Sequence, residues 1–139
     1  MMNLIISRFD LKSSALRPSI GLLVLRIVFG VAFVLHGWGK IQAPFGWMGP
    51  DAPVPGILQA LAALSEFGGG LAMIVGLLVP LATLGMAITM AVAMQVHIGK
   101  GDPFVQGWEL AAVYFAISIA LMTVGPGRFS LDYLISKRK

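Results

Sequence analysis

Residues 57–98 read ILQALAALSEFGGGLAMIVGLLVPLATLGMAITMAVAMQVHI, and Glu66 is the only Asp, Glu, Lys or Arg among them. The run is about twice the roughly 20 apolar residues that one helix needs to cross a bilayer. Pro80 divides it, and so short a connection makes the two halves an antiparallel hairpin. Neither half has the polar stripe that a surface helix of a soluble bundle shows. The stretch predicts two membrane spans, about 57–79 and 81–98.

The same reading extends outward. Residues 20–41 form an apolar run that begins after Pro18, a good helix-start residue. Residues 108–124 form a fourth run, ended by Gly125-Pro126-Gly127. Loop 42–55 is rich in turn formers, among them Pro44, Gly46, Gly49 and Pro50, and loop 99–107 carries Asp102 and Pro103. The expected fold class is an all-α membrane protein, a four-transmembrane-helix bundle over 19–127. An amphipathic segment, 1–18, is expected to lie on the membrane surface before it. A basic cytoplasmic tail, 128–139, follows. Composition agrees, with 12% charged residues against about 25% in soluble domains.

Basic residues set the orientation. Arg8, Lys12 and Arg17 precede the first span, and Arg128, Lys137, Arg138 and Lys139 follow the last. Four spans put all seven on one side, so the positive-inside rule makes both termini cytoplasmic. Trp38, Trp47 and Trp108 then share the outer interface, where an aromatic belt is expected. The outer loops echo one another. His36-Gly-Trp-Gly-Lys40 precedes Pro44-Phe45-Gly46-Trp47, and His97-Ile-Gly-Lys100 precedes Pro103-Phe104 and Gly107-Trp108. Two duplicated hairpins are one reading of that echo; shared interface needs are the other.

The chain has no cysteine, which removes disulfides, thiol redox chemistry and zinc–thiolate sites. Its net charge of +4 is gathered at the ends and does not interleave with aromatics, so nucleic acid is not an expected partner. The expected surroundings are a lipid bilayer, and a homo-oligomer is compatible with the pattern.

Six ionisable residues sit within or at the edge of the spans: Arg26, His36, Lys40, Glu66, His97 and Glu109. Charge inside a bilayer is costly and marks function by default. Counted from the helix starts at 1.5 Å per residue, Arg26 and Glu66 come to similar depth, so an Arg26–Glu66 ion pair is expected. That pair reads either as structural glue or as the floor of a pocket. His36, Lys40, His97 and Glu109 gather at the outer level. Lys40 has a bland alternative in snorkelling to the interface. Glu109 has one in the favourable dipole at a helix N-terminus.

Three ligand readings compete for this outer group. Haem b on two histidines fits poorly because both lie near helix ends. A two-histidine, one-carboxylate metal site from His36, His97 and Glu109 has the right ligand types. A pocket for a quinone or another amphipathic molecule fits best, since it needs only one or two polar groups in an apolar cleft. Met86, Met90 and Met94 form a stripe whose default reading is core packing.

The chain resembles the DoxX family of small four-helix membrane proteins. The resemblance rests on Arg26-Ile-Val-Phe-Gly30, His36-Gly37 and Lys40, on Glu66 with Gly69-Gly70 and Gly76, and on Gly125-Pro126-Gly127-Arg128-Phe129-Ser130-Leu131-Asp132. His97 and Glu109 also fall where the family pattern has them. It spans Gly21 to Leu134. The resemblance implies a bacterial inner-membrane bundle and a loose link to redox work, the family name coming from the membrane partner of a thiosulfate:quinone oxidoreductase. It therefore implies an oxidoreductase subunit with a quinone and a soluble redox partner. The alternative is a non-enzymatic scaffold, lipid-binding or transport-related bundle whose buried charges are structural. Arg128, Ser130 and Asp132 read either as part of an interfacial anchor or as a docking platform for a soluble partner.

Overall fold

The structure is a computed structural model that describes residues 16–137. Most of the expected amphipathic segment, up to residue 15, lies outside the described residues, as do Arg138 and Lys139. Four long helices carry the chain: α1 (Leu16–Gln42), α2 (Gly56–Val75), α3 (Val79–Gly99) and α4 (Glu109–Val124). A wide turn, Phe104–Trp108, leads into α4, and a short α5 (Leu131–Ser136) follows it. No strand occurs among the described residues. Each of the four, α4 counted with its leading turn, is long and apolar enough to cross a membrane.

The α2–α3 junction departs from the expected break at Pro80. Helix α2 ends at Val75, because Gly76 takes the left-handed conformation (φ 73°) and closes onto the Ala72 carbonyl. Leu78 is also left-handed (φ 50°). Pro80 stands in the first turn of α3, where a missing N–H costs nothing. It opens the third helix; it does not close the second.

Helices α1 and α2 approach closely because glycines line their contact. A Cβ built on Gly70 would stand 2.7 Å from the Gly30 carbonyl oxygen, and one on Gly30 would stand 2.7 Å from that of Gly70. A Cβ on Gly37 would run into the backbone of Glu66 and Phe67. Small residues are the usual means of close helix approach in lipid.

Few side chains turn inward. In the most apolar window of each of α1, α2 and α3 the buried share is 28%, and in that of α4 it is 11%. The inner set is Phe29, Phe33, Met73, Val79, Met86, Met90 and Leu121, so the methionine stripe supplies core through Met86 and Met90. Large apolar residues such as Val28, Leu35, Leu64 and Leu81 face outward. That inside-out distribution suits lipid, where only backbone and polar groups need internal partners. Packing is closest within the α1–α2 and α3–α4 hairpins. The α1 and α4 backbones stay apart, and the rings of Phe29, Phe33 and Tyr114 fill the space between them, with centroids 4.6–5.6 Å apart.

Gly70→Val is therefore expected to cost at least about 1–3 kcal/mol, the usual range for overpacking, and to abolish the folded monodisperse peak in detergent chromatography. Gly39→Ala, where no atom lies within 4 Å, is expected to leave that peak unchanged.

Candidate functional site

The expected Arg26–Glu66 pair does not form. Arg26 is fully buried, and its guanidinium donates to two backbone carbonyls, Nη1 to Pro126 O at 2.7 Å and Nη2 to Phe129 O at 2.7 Å. Asp132 supplies the attracting negative charge. The reason is register. Contacts of Gly30 with Gly70 and of Gly37 with Phe67 place Arg26 level with Gly76, whose added Cβ would clash with the guanidinium. Glu66 lies about ten residues up α2 from there, roughly 15 Å away along the helix.

The chain end completes this arrangement. Asp132 accepts from the amides of Leu78 (2.8 Å) and Val79 (2.9 Å), and so caps the start of α3 from a distant part of the chain. Its own N–H donates to the Gly76 carbonyl. Ser130 caps α5 by accepting from the Tyr133 amide, and its hydroxyl donates to Gly127 O. The Arg128 amide donates to Ser19 on α1. Of the three expected partner-facing residues, only Arg128 is exposed. Its guanidinium lies beside the Tyr133 phenol, and hydrogen bonds from Arg128 and Lys137 pull that phenol below its ordinary range.

Glu66 belongs instead with Lys40. The ammonium reaches Oε1 at 2.7 Å, with the carboxylate only 2% exposed. Gly37 permits this contact, because its missing Cβ lets the Glu66 backbone rest against α1 one turn below Lys40. Lys40 also sits 4.4 Å from the centre of the Trp47 ring, a cation–π contact. Trp47 is held in turn by its indole N–H on Gln59 O, and the buried Gln59 side chain binds Met48 N and Val54 O across loop 42–55. Lys40 does not snorkel; it bends inward.

The second carboxylate oxygen, Glu66 Oε2, is buried with no hydrogen-bond partner. Glu66 lines a half-open cleft of about 200 Å³. His36, Lys40, Glu66 and His97 meet there, with Phe33, Met90, Leu110 and Tyr114 as apolar and aromatic walls. His97 Nδ1 lies 2.7 Å from Asp102 Oδ2. The six expected residues therefore divide: four share the cleft, Arg26 is used in the chain-end knot, and Glu109 is exposed in the first turn of α4, outside the cleft lining. The metal grouping of His36, His97 and Glu109 is not assembled, and among the described residues no three His, Cys, Asp or Glu converge.

The family model for DoxX matches residues 21–98, which carry three of the four long helices and all four polar residues of the cleft. The chain belongs to the DoxX family. It is 32% identical to the inner membrane protein YqjF of Escherichia coli over 130 residues, 86% of this chain and 95% of that protein. It is 31% identical to an uncharacterized protein of Haemophilus influenzae, over 82% of this chain and 90% of the other. A Bacillus subtilis protein named "Putative oxidoreductase CatD" is 28% identical, over 86% and 90%. No solved structure matches. This DoxX protein is a multi-pass protein of the bacterial inner membrane.

Three residues of the DoxX site escaped the sequence reading. Tyr114 offered a signal, as a phenol within an otherwise apolar span. Asp102 offered one too, five residues after His97 across a helix end. Gln59 offered its place on the Glu66 face of the second span by three- and four-residue steps, but not its partners, which are backbone groups of a loop.

Asp132→Ala removes two acceptors from the start of α3 and is expected to lower stability by about 1–2 kcal/mol, as loss of a helix cap does. Arg26→Lys keeps the charge but not the planar fork that spans both carbonyls, and is expected to lower the Tm in detergent. An unchanged Tm for both variants counts against the knot.

Proposed function

We propose that this DoxX protein is a redox-associated membrane subunit that binds the head group of a quinone-like amphipathic molecule in the cleft between His36, Lys40, Glu66 and His97. One observation carries the reading: Glu66, whose Oε2 is buried with no hydrogen-bond partner, lines a half-open cleft. A buried acceptor without a partner costs about 1–3 kcal/mol, so the arrangement favours a ligand that fills it. The size supports the same reading. At about 200 Å³ the cleft is smaller than the roughly 300–1,000 Å³ of a site that encloses a whole drug-sized molecule. It suits one ring, with an apolar tail left in the lipid. The open side of the cleft, where Leu110 on its wall is exposed, leaves such a tail a way out.

The chemistry offered to the head group is proton exchange. Histidine titrates near neutral pH, and Glu66 is a carboxylate already bonded to an ammonium. Both are suited to pass protons to or from ring oxygens as electrons arrive from elsewhere. A soluble redox partner on the terminal face, beside Arg128, completes the proposal. The positive-inside rule supports a cytoplasmic position for that face. For Arg26 a structural role is favoured, because two of its three nitrogens already serve the chain's own carbonyls.

Protein purified from membranes is expected to retain quinone above the level of bulk lipid, measured by chromatography of its extract. Glu66→Gln and His36→Ala are expected to lower retention, counted over quinone and quinol together, about tenfold, the worth of one charge-assisted hydrogen bond, while the chromatographic peak persists. Wild-type extracts with no enrichment refute the reading. Reporter fusions at both ends are expected to be active only in cytoplasm-sensing form; periplasmic activity at either end refutes the orientation.

A further inference from the structure

One hydrogen-bonding group of the cleft, Glu66, only accepts, whereas the His36 ring and the Tyr114 hydroxyl can each donate or accept. An ionised carboxylate only accepts. Glu66 Oε1 is occupied by Lys40, so the vacancy at Oε2 is a vacancy for a donor. His97 adds to this. Asp102 accepts at the His97 Nδ1, which makes Nδ1 a protonated nitrogen and leaves the other ring nitrogen to accept whenever the imidazole carries a single proton. Lys40 supplies donors, but one is engaged by Glu66 and the ammonium also faces the Trp47 ring. The walls, Phe33, Leu110 and the Tyr114 ring among them, suit a flat apolar ring.

We infer that the site selects the reduced, dihydroxy form of the ring over the oxidised dione. This rests on the reading of the cleft as a head-group site and deepens it. An oxidised ring carries two carbonyl oxygens, which only accept, and it leaves Glu66 Oε2 as it found it. A reduced ring carries two hydroxyl groups. One donates to Glu66 Oε2, and its oxygen still accepts from Lys40. The second has His97 as an acceptor. The same preference extends to phenols that carry a single hydroxyl, with one of the two acceptors left over. Bound this way, the reduced ring has a carboxylate on the hydroxyl whose proton must leave when the ring is oxidised.

The test compares decylubiquinol with decylubiquinone on the full chain in lipid nanodiscs, by anaerobic calorimetry at neutral pH. The quinol is expected to bind at least about tenfold more tightly, the effect of one hydrogen bond to a charged acceptor. Glu66→Gln replaces an acceptor-only group by an amide that also donates, and is expected to bring the two affinities within about threefold of each other. Equal affinities in the wild type, or tighter dione binding, overturn the inference and leave the head-group reading standing. Binding of neither form overturns both. The wild-type comparison decides the matter alone if Glu66→Gln does not fold, and His97→Gln, which keeps polarity at a less buried position, provides a second variant expected to narrow the preference.

Discussion

A guanidinium sealed from both water and lipid must find its acceptors within the protein, and much of this bundle is arranged around that need at Arg26. Its two terminal nitrogens bind the carbonyls of Pro126 and Phe129, so the chain end must turn back under α1. That turn brings Asp132 to the first amides of α3. Gly76 lies against the same guanidinium, where a side chain has no room. The last helix, the α2–α3 junction and the first helix are thus joined at one point, and no direct charge pair with Glu66 is needed.

Release of Glu66 from that role is what makes the other end of the bundle chemically distinct. Its partner Lys40 is anchored by Trp47, and Trp47 by Gln59. Loop 42–55 therefore holds the ammonium in place, and the ammonium holds one carboxylate oxygen. The free oxygen is a product of this geometry: one carboxylate, one committed donor, and apolar or aromatic walls elsewhere.

The four spans and the polar positions were legible in the sequence because apolar periodicity and isolated charges are local properties. Pairing was not. Depth counted from helix starts assumed that α1 and α2 begin flush with the bilayer edges. Glycine contacts at Gly30, Gly37 and Gly70 slide the helices instead, so that α1 overhangs the α2–α3 junction. Those glycines were visible, but their partners were not. Arg26 was misassigned for a second reason. Its acceptors are main-chain oxygens, which every residue carries and no side-chain pattern announces. Pro80 shows the same limit, since a proline closes one helix or opens the next according to the conformation of its neighbours Gly76 and Leu78. Level alone grouped His36, Lys40 and His97 with Glu109 and set Glu66 deeper; the fold brings Glu66 to the first three, and Glu109 is exposed outside the cleft lining.

The capping of α3 by Asp132 also bears on the order of synthesis. The amides of Leu78 and Val79 emerge well before Asp132, which follows Leu78 by 54 positions. During that interval the middle hairpin stands at the membrane boundary with two open donors, served by water or lipid head groups. The α2–α3 hairpin is therefore finished by a residue made after α4, and the native bundle is sealed only once the segment beyond α4 has been made.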